Sequence, residues 1–192
     1  MRRTLTAVPR PVRLIVLSAL LALAVAGCGN KQEVRTLGET EGIYIDLGEL
    51  QYQVQVSRQL NQFDEEDRYY VSGLPAGYPQ PTTEEEWFGV FIRVSNPLDR
   101  TMTPASNFQI RDTQENTYTP VPLSRINVFA YRPTPIGPNG LIPLPDSPSG
   151  NGPIQGALLL FKIKQESLQN RPLELRILAP GSSDVGVVDL DV

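Results

Sequence analysis

The sequence predicts an all-β fold, an antiparallel sandwich of about seven to nine short strands with two long loops. Three observations carry this. Short segments of alternating or continuous apolar residues recur from residue 50 to the end, with Gly, Pro, Asn and Asp between them. No long stretch shows the 3.6-residue period of an amphipathic helix. Of the 18 Pro, all but Pro9 and Pro11 lie beyond residue 27 and are scattered, which leaves little room for helices. The 192 residues, 40% hydrophobic and 20% charged, suffice for one domain with a sizeable core.

The first 27 residues read as an address. Arg2, Arg3, Arg10 and Arg13 make the N-terminus basic, and no acid precedes Glu33. Residues 14–26 (LIVLSALLALAVA) are apolar except for Ser18. As a helix they would extend roughly 20 Å at 1.5 Å per residue. A bilayer core of about 30 Å needs more, so the block fits the hydrophobic region of a signal peptide. An uncleaved anchor helix is the competing reading.

The block closes on Val25-Ala26-Gly27-Cys28. This resembles the lipobox of bacterial lipoproteins. The resemblance implies that Val25, Ala26 and Gly27 are read by the signal peptidase. It also implies that the Cys28 thiol accepts a diacylglyceryl group and that cleavage before Cys28 frees an amine for further acylation. The single Cys of the chain stands at the one place this chemistry requires. A chance Cys after a signal cut elsewhere is the alternative. Arg2-Arg3 also resembles, weakly, a twin-arginine export signal. The expected location is the cell envelope, with lipid holding the chain to the outer face of the cytoplasmic membrane.

Residues 1–27 hold four of the 17 basic side chains and none of the 21 acids, so the net charge of −4 becomes −8 for residues 28–192. An acidic domain is repelled by phosphate backbones and anionic lipid, which makes nucleic acid a poor partner. Membrane attachment would come through acyl chains on Cys28. Residues 28–42 are polar and aperiodic and read as a flexible tether. The domain is expected over residues 43–192.

Within it, Leu50, Tyr52, Val54 and Val56 alternate with Gln51, Gln53 and Gln55, predicting one buried and one wet face. Residues 87–94 (WFGVFIRV) read as a central strand, with Phe88, Val90, Ile92 and Val94 on one face and Trp87, Phe91 and Arg93 on the other. Asn96-Pro97 is a stop signal. Residues 108–110 and 117–118 read as a hairpin around the polar loop 112–116. Residues 128–131, 157–163, 173–177 and 187–192 are further strands, and residues 165–170 the one short helix.

The run 86–96 (EWFGVFIRVSN), then 107–112 (NFQIRD) with Tyr118, then 156–163 (GALLLFKI) and 173–177 (LELRI), resembles immunoglobulin-like domains of the DUF4352 type. Those domains belong to secreted and lipid-anchored bacterial proteins. The resemblance spans roughly residues 44–192 and implies an immunoglobulin-like sandwich outside the cytoplasm. It implies no particular chemistry.

Two insertions depart from that pattern. Residues 59–86 carry the acids Asp64, Glu65, Glu66 and Asp67 and the aromatics Tyr69, Tyr70 and Tyr78. Long loops on small sandwiches are often functional. The acids lack the spacing of a calcium loop and read as a solvated stretch. The tyrosines form either a sticky face or pins holding the loop to the sandwich, and pinning is preferred. Residues 132–153 contain 11 Pro or Gly among 22. Their apolar side chains Ile136, Leu141, Ile142 and Leu144 would either bind a partner from an extended backbone or cover a sheet edge.

Catalytic chemistry is thin. The absence of His removes His-based triads and metal sites, and one Cys removes intrachain disulfides and Cys-rich zinc sites. There is no nucleophile elbow and no phosphate loop. Neither a cofactor nor a metal is expected. The sequence reads as a binding or envelope accessory module, not an enzyme. The candidate partner residues are Ile136, Leu141, Ile142 and Leu144 with Tyr69 and Tyr70, and the partner would be an envelope protein or cell-wall component. The alternative is a carboxylate-dependent hydrolase of a cell-wall polymer, which would need two acids facing each other across a cleft.

Overall fold

A computed structural model describes residues 35–191. Val25, Ala26, Gly27 and Cys28 lie outside them. Two sheets of five strands face each other. The strands are β1 (Leu37–Gly38), β2 (Tyr44–Leu47), β3 (Leu50–Leu60), β4 (Glu85–Ser95), β5 (Asn107–Arg111), β6 (Thr117–Tyr118), β7 (Leu141–Ile142), β8 (Ala157–Lys164), β9 (Leu173–Leu178) and β10 (Val185–Leu190). Seven of them have four or more residues, and the fold is the all-β sandwich the sequence predicts.

One sheet runs β1-β10-β9-β5-β6. In the other, β4 is central: β3 pairs one side, and β8 and then β7 pair the other. All pairs are antiparallel except β1 with β10. The run 165–170 forms a 3-10 turn, Gln165–Gln169, and two four-residue helices stand in the insertions, α1 (Asp67–Tyr70) and α2 (Pro148–Asn151).

β4 is buried on both faces, and this shapes the whole molecule. Phe88, Val90, Ile92 and Val94 face inward and pack with Tyr52, Val54, Phe108, Ile110, Leu175 and Ile177 between the sheets. Trp87 and Phe91 face outward, yet they are 2% and 0% exposed. A second apolar layer covers them. It is built from Leu60, Leu158 and Leu160 of the sheet, from Tyr70 of α1 and from Val121 and Leu123 of a loop. Tyr70 meets Phe91 edge-on at 4.9 Å, and Tyr78 lies 6.2 Å from Trp87. Fully burying a side chain of this size contributes about 1.5–3 kcal/mol, so the long insertions stabilise the sheet they cross.

Three expectations change. The alternation of β3 does not run through to Val56. The ladder with β4 shifts between Val54 and Val56, so Val56 and Leu60 turn to the outer layer and Ser57 turns inward. An inserted residue reverses which side chains face the core, and the strand serves one apolar layer with each half. Residues 128–131 form no strand. Ala130 makes a single bridge to Leu158, while Val128 is exposed. The stretch expected as tether enters the fold at its C-terminal part. Thr36 accepts a hydrogen bond from the Val187 N–H at 2.9 Å, and Arg35 accepts one from the Asp46 N–H. Residues 35–38 therefore bridge β10 of one sheet and β2 of the other.

Buried polar side chains fasten the connections. The Tyr52 hydroxyl accepts from the Ala105 N–H at 2.8 Å, and the Tyr131 hydroxyl donates to the Ala105 carbonyl at 2.7 Å. Burial raises both phenols, and each stays a neutral O–H. Asn96, the predicted stop, donates to the Ile136 and Gly137 carbonyls at 3.0 and 2.9 Å, tying the end of β4 to the Pro-rich segment. Asp112 closes the β5–β6 turn. It accepts from the N–H groups of Gln114 and Asn116 and from the Asn116 and Asn170 amides. Burial works against its charge, but these hydrogen bonds outweigh burial and hold the carboxyl at about 2.

Candidate functional site

The candidate partner residues part company in the fold. Ile136 is 3% exposed in the inner core and pairs with Met102. Ile142 is buried in β7 opposite Val94. Tyr70 is buried against Phe91 and Phe129. None of these three offers a surface to a partner in the folded domain, because each fills a core position. Within the Pro-rich segment β7 covers the edge of β4, with Ile142 opposite Val94 and the half-buried Leu141 opposite Ser95. Tyr69 and Leu144 remain outside, at 53% and 63% exposure.

Two further exposed apolar side chains, which the sequence did not reveal, lie on a segment tied to these. Ile126 and Val128, 79% and 57% exposed, flank Asn127. The Asn127 amide points inward and donates to the carbonyls of Tyr70 and Ser72 at 2.8 and 3.0 Å. Its own carbonyl oxygen accepts from the Phe129 N–H at 3.0 Å. The polar residue is inside and its apolar neighbours outside, the reverse of a core strand. Hydrogen bonds continue outward from there. The Ser149 hydroxyl of α2 donates to the Val128 carbonyl at 3.2 Å, and the Ser147 N–H and hydroxyl both donate to the Leu144 carbonyl. Segments bearing Tyr69, Ile126, Val128 and Leu144 are thus fixed to one another. Arg68 lies over the Tyr69 ring at 5.3 Å and holds it further.

A second feature is an open groove of about 720 Å³ where the β3–β4 ladder ends. Arg58, Asn61, Gln62, Phe63, Glu86 and Trp87 contribute to its walls. Asp67 is buried and paired with Arg58, and it accepts the Asn61 N–H at 2.8 Å. Glu85 accepts from Lys162 at 3.2 Å and from the Thr82 N–H at 3.1 Å, and these bonds hold its carboxyl below the usual range against slight burial. Burial pushes the Glu86 carboxyl up, with the Gln59 amide opposing. Glu85 and Glu86 are adjacent in β4 and so point to opposite sides of the sheet. The facing pair of acids that hydrolysis requires is not formed by them. Among the described residues no group of three or more acids could hold a metal ion, and no helix is long and apolar enough to cross a membrane.

No family model matches the chain, and no curated protein matches it. Among solved structures it is similar to the yjhA protein from Bacillus subtilis, with a TM-score of 0.51 at 11% identity over 80% of this chain and 99% of that one. It is also similar to an uncharacterised β-sandwich protein from Clostridium difficile, with a TM-score of 0.43 at 11% identity over 85% and 99%. A conserved hypothetical protein from Bacillus anthracis gives 0.45 at 9% over 77% and 94%. The first likeness shows a shared fold.

Proposed function

We propose that the chain is a lipoprotein of the bacterial cell envelope, anchored through acyl chains on Cys28 to the outer face of the cytoplasmic membrane. Its sandwich serves as a binding or accessory module for another envelope component and carries no catalytic role. The lipobox-like Val25-Ala26-Gly27-Cys28 and the DUF4352-like strand pattern support the location. One observation carries the binding reading: Ile126, Val128, Leu144 and Tyr69 are exposed on segments that hydrogen bonds hold in place. A preorganised apolar surface loses little conformational entropy on docking, which is what recognition loops on a rigid scaffold require.

Two substitutions test the reading. Cys28→Ser should release the chain from the membrane fraction, and a variant that stays with the membrane at full molecular weight would mean an uncleaved anchor. Ile126→Asp with Leu144→Asp should leave the melting temperature unchanged and abolish crosslinking to the partner in intact cells. Unchanged crosslinking would remove this surface as the contact.

A further inference from the structure

We propose that the groove at the end of the β3–β4 ladder binds a neutral oligosaccharide, with Phe63 as the stacking platform. Its volume of about 720 Å³ lies in the range of ligand sites, and it is open, with polar and apolar groups sharing its walls.

Phe63 is 88% exposed, more than any other large apolar side chain among the described residues. It does not sit on a loose tip. Its N–H donates to the Asn61 side-chain oxygen at 3.0 Å, and the Asp64 N–H donates to the Asn61 carbonyl at 2.9 Å. Asn61 in turn donates its N–H to Asp67, which is 5% exposed and paired with Arg58. A buried carboxylate paired with a partly exposed Arg58 therefore sets the turn that holds an aromatic ring out in water. The ring stands free beside the groove, placed to stack against the face of a ligand lying in it.

The groove, which takes in the end of the sheet, offers both donors and acceptors. The Gln62 oxygen takes the Trp87 indole N–H at 3.3 Å, which leaves its amide hydrogens. The Gln59 amide nitrogen serves Glu86 at 3.2 Å, which leaves its oxygen. Gln165 and Thr83 line the same groove with amide and hydroxyl groups. Each sugar hydroxyl both donates and accepts, so it matches such a mixed set, while the C–H face of a pyranose ring stacks on an aromatic.

Charge narrows the class. Asp67 and Glu85 are paired with Arg58 and Lys162. Glu86 has only an amide beside it, in a chain already rich in acid. A polyanion is repelled there, and a polycation finds one uncompensated carboxylate. A neutral glycan uses the ring, the amides and the hydroxyls together.

The full chain, held in detergent micelles, is titrated with maltohexaose, cellohexaose and chitohexaose. Binding is read by calorimetry and by the fluorescence of Trp87, the chain's single Trp. At least one of these glycans should bind with micromolar to millimolar affinity. Phe63→Ala should weaken binding by about 3–10-fold at unchanged melting temperature, the size expected of one lost aromatic stack, and Phe63→Tyr should restore it. Ile126→Asp, on the other surface, should leave glycan binding intact, so this test and that of the partner surface fail independently. The proposal is overturned by no saturable binding of all three glycans up to about 10 mM, or by binding indifferent to Phe63→Ala. Octalysine binding in their place and weakened by Glu86→Gln would overturn it equally, since the groove would then be a site for basic peptides.

Discussion

Asn127 is 2% exposed and spends its whole side chain on backbone partners: the Tyr70 and Ser72 carbonyls on one side and the Phe129 N–H on the other. Asn96 does the same between the end of β4 and the Pro-rich segment. Removing such a group leaves buried carbonyls without donors, at about 1–3 kcal/mol for each one. Asn127→Ala should therefore lower denaturant stability by at least that amount and loosen the loop carrying Ile126 and Val128. Asn127→Asp should do no better, because the donors are lost and a charge is buried. Asp112 sets a pH dependence. Its carboxyl titrates at about 2 in the fold against an ordinary 3.8, so its contribution is complete above the higher value and disappears as pH falls through the lower. A thermal melt series should show stability falling between these pH values. Asp112→Asn should flatten that fall and lower stability near neutral pH.

β4 is the element on which both apolar layers depend. Phe88→Ala removes an inner ring and Phe91→Ala an outer one, and both are 0% exposed. Each should cost about 3–5 kcal/mol, while Gln53→Ala on the wet face of β3 should change stability by a fraction of that. A much smaller effect at Phe91 would mean that the outer layer is not a packed core. The start of β8 makes a similar point. A Cβ at Gly156 would lie 2.9 Å from the Phe91 Cβ and 3.0 Å from its carbonyl carbon. Gly156→Ala should therefore push β8 off β4 and destabilise by about 1–3 kcal/mol. The faces of β4 were legible in the sequence because period-two alternation is local. The turn at Val56 was not, because a bulge depends on what each half of the strand must cover, and β3 covers a different layer with each half.

For the molecule as a whole, the sandwich could be read from strand spacing and Pro placement, but the apolar surface could not. Ile126 and Val128 look like strand residues. Their exposure follows from Asn127 reaching carbonyls 57 and 55 residues earlier in the chain, a contact with no local signature. The Phe63 groove was hidden for the same reason, since the pairing of Arg58 with the buried Asp67 nine residues on shapes it. The two-residue β1 has no periodicity by which the sequence could show it. Its hydrogen bonds still count at about 0.5–1.5 kcal/mol each. Thr40 and Glu41 add bonds to Asp191, and Glu41 one to Ser57. A fragment of residues 35–192 should accordingly melt several degrees above one of residues 43–192. Equal melting temperatures would make β1 ornamental.

The attachment of residues 35–38 to both sheets has a mechanical consequence. A pull along the chain ahead of Arg35 loads the bonds to Asp46 and Val187 together, because they lie on two different sheets. When they give way, the sandwich itself need not follow. Once the bonds of Thr40 and Glu41 to Asp191 and Ser57 and that of Gly42 to Val54 have opened as well, the leash lengthens by the eight residues from 35 to 42, at most about 29 Å, while β4 and its two apolar layers stay closed. Residues 35–42 are then a reserve of slack released under tension. In a single-molecule pulling trace this slack is a short first step ahead of the full extension of the domain.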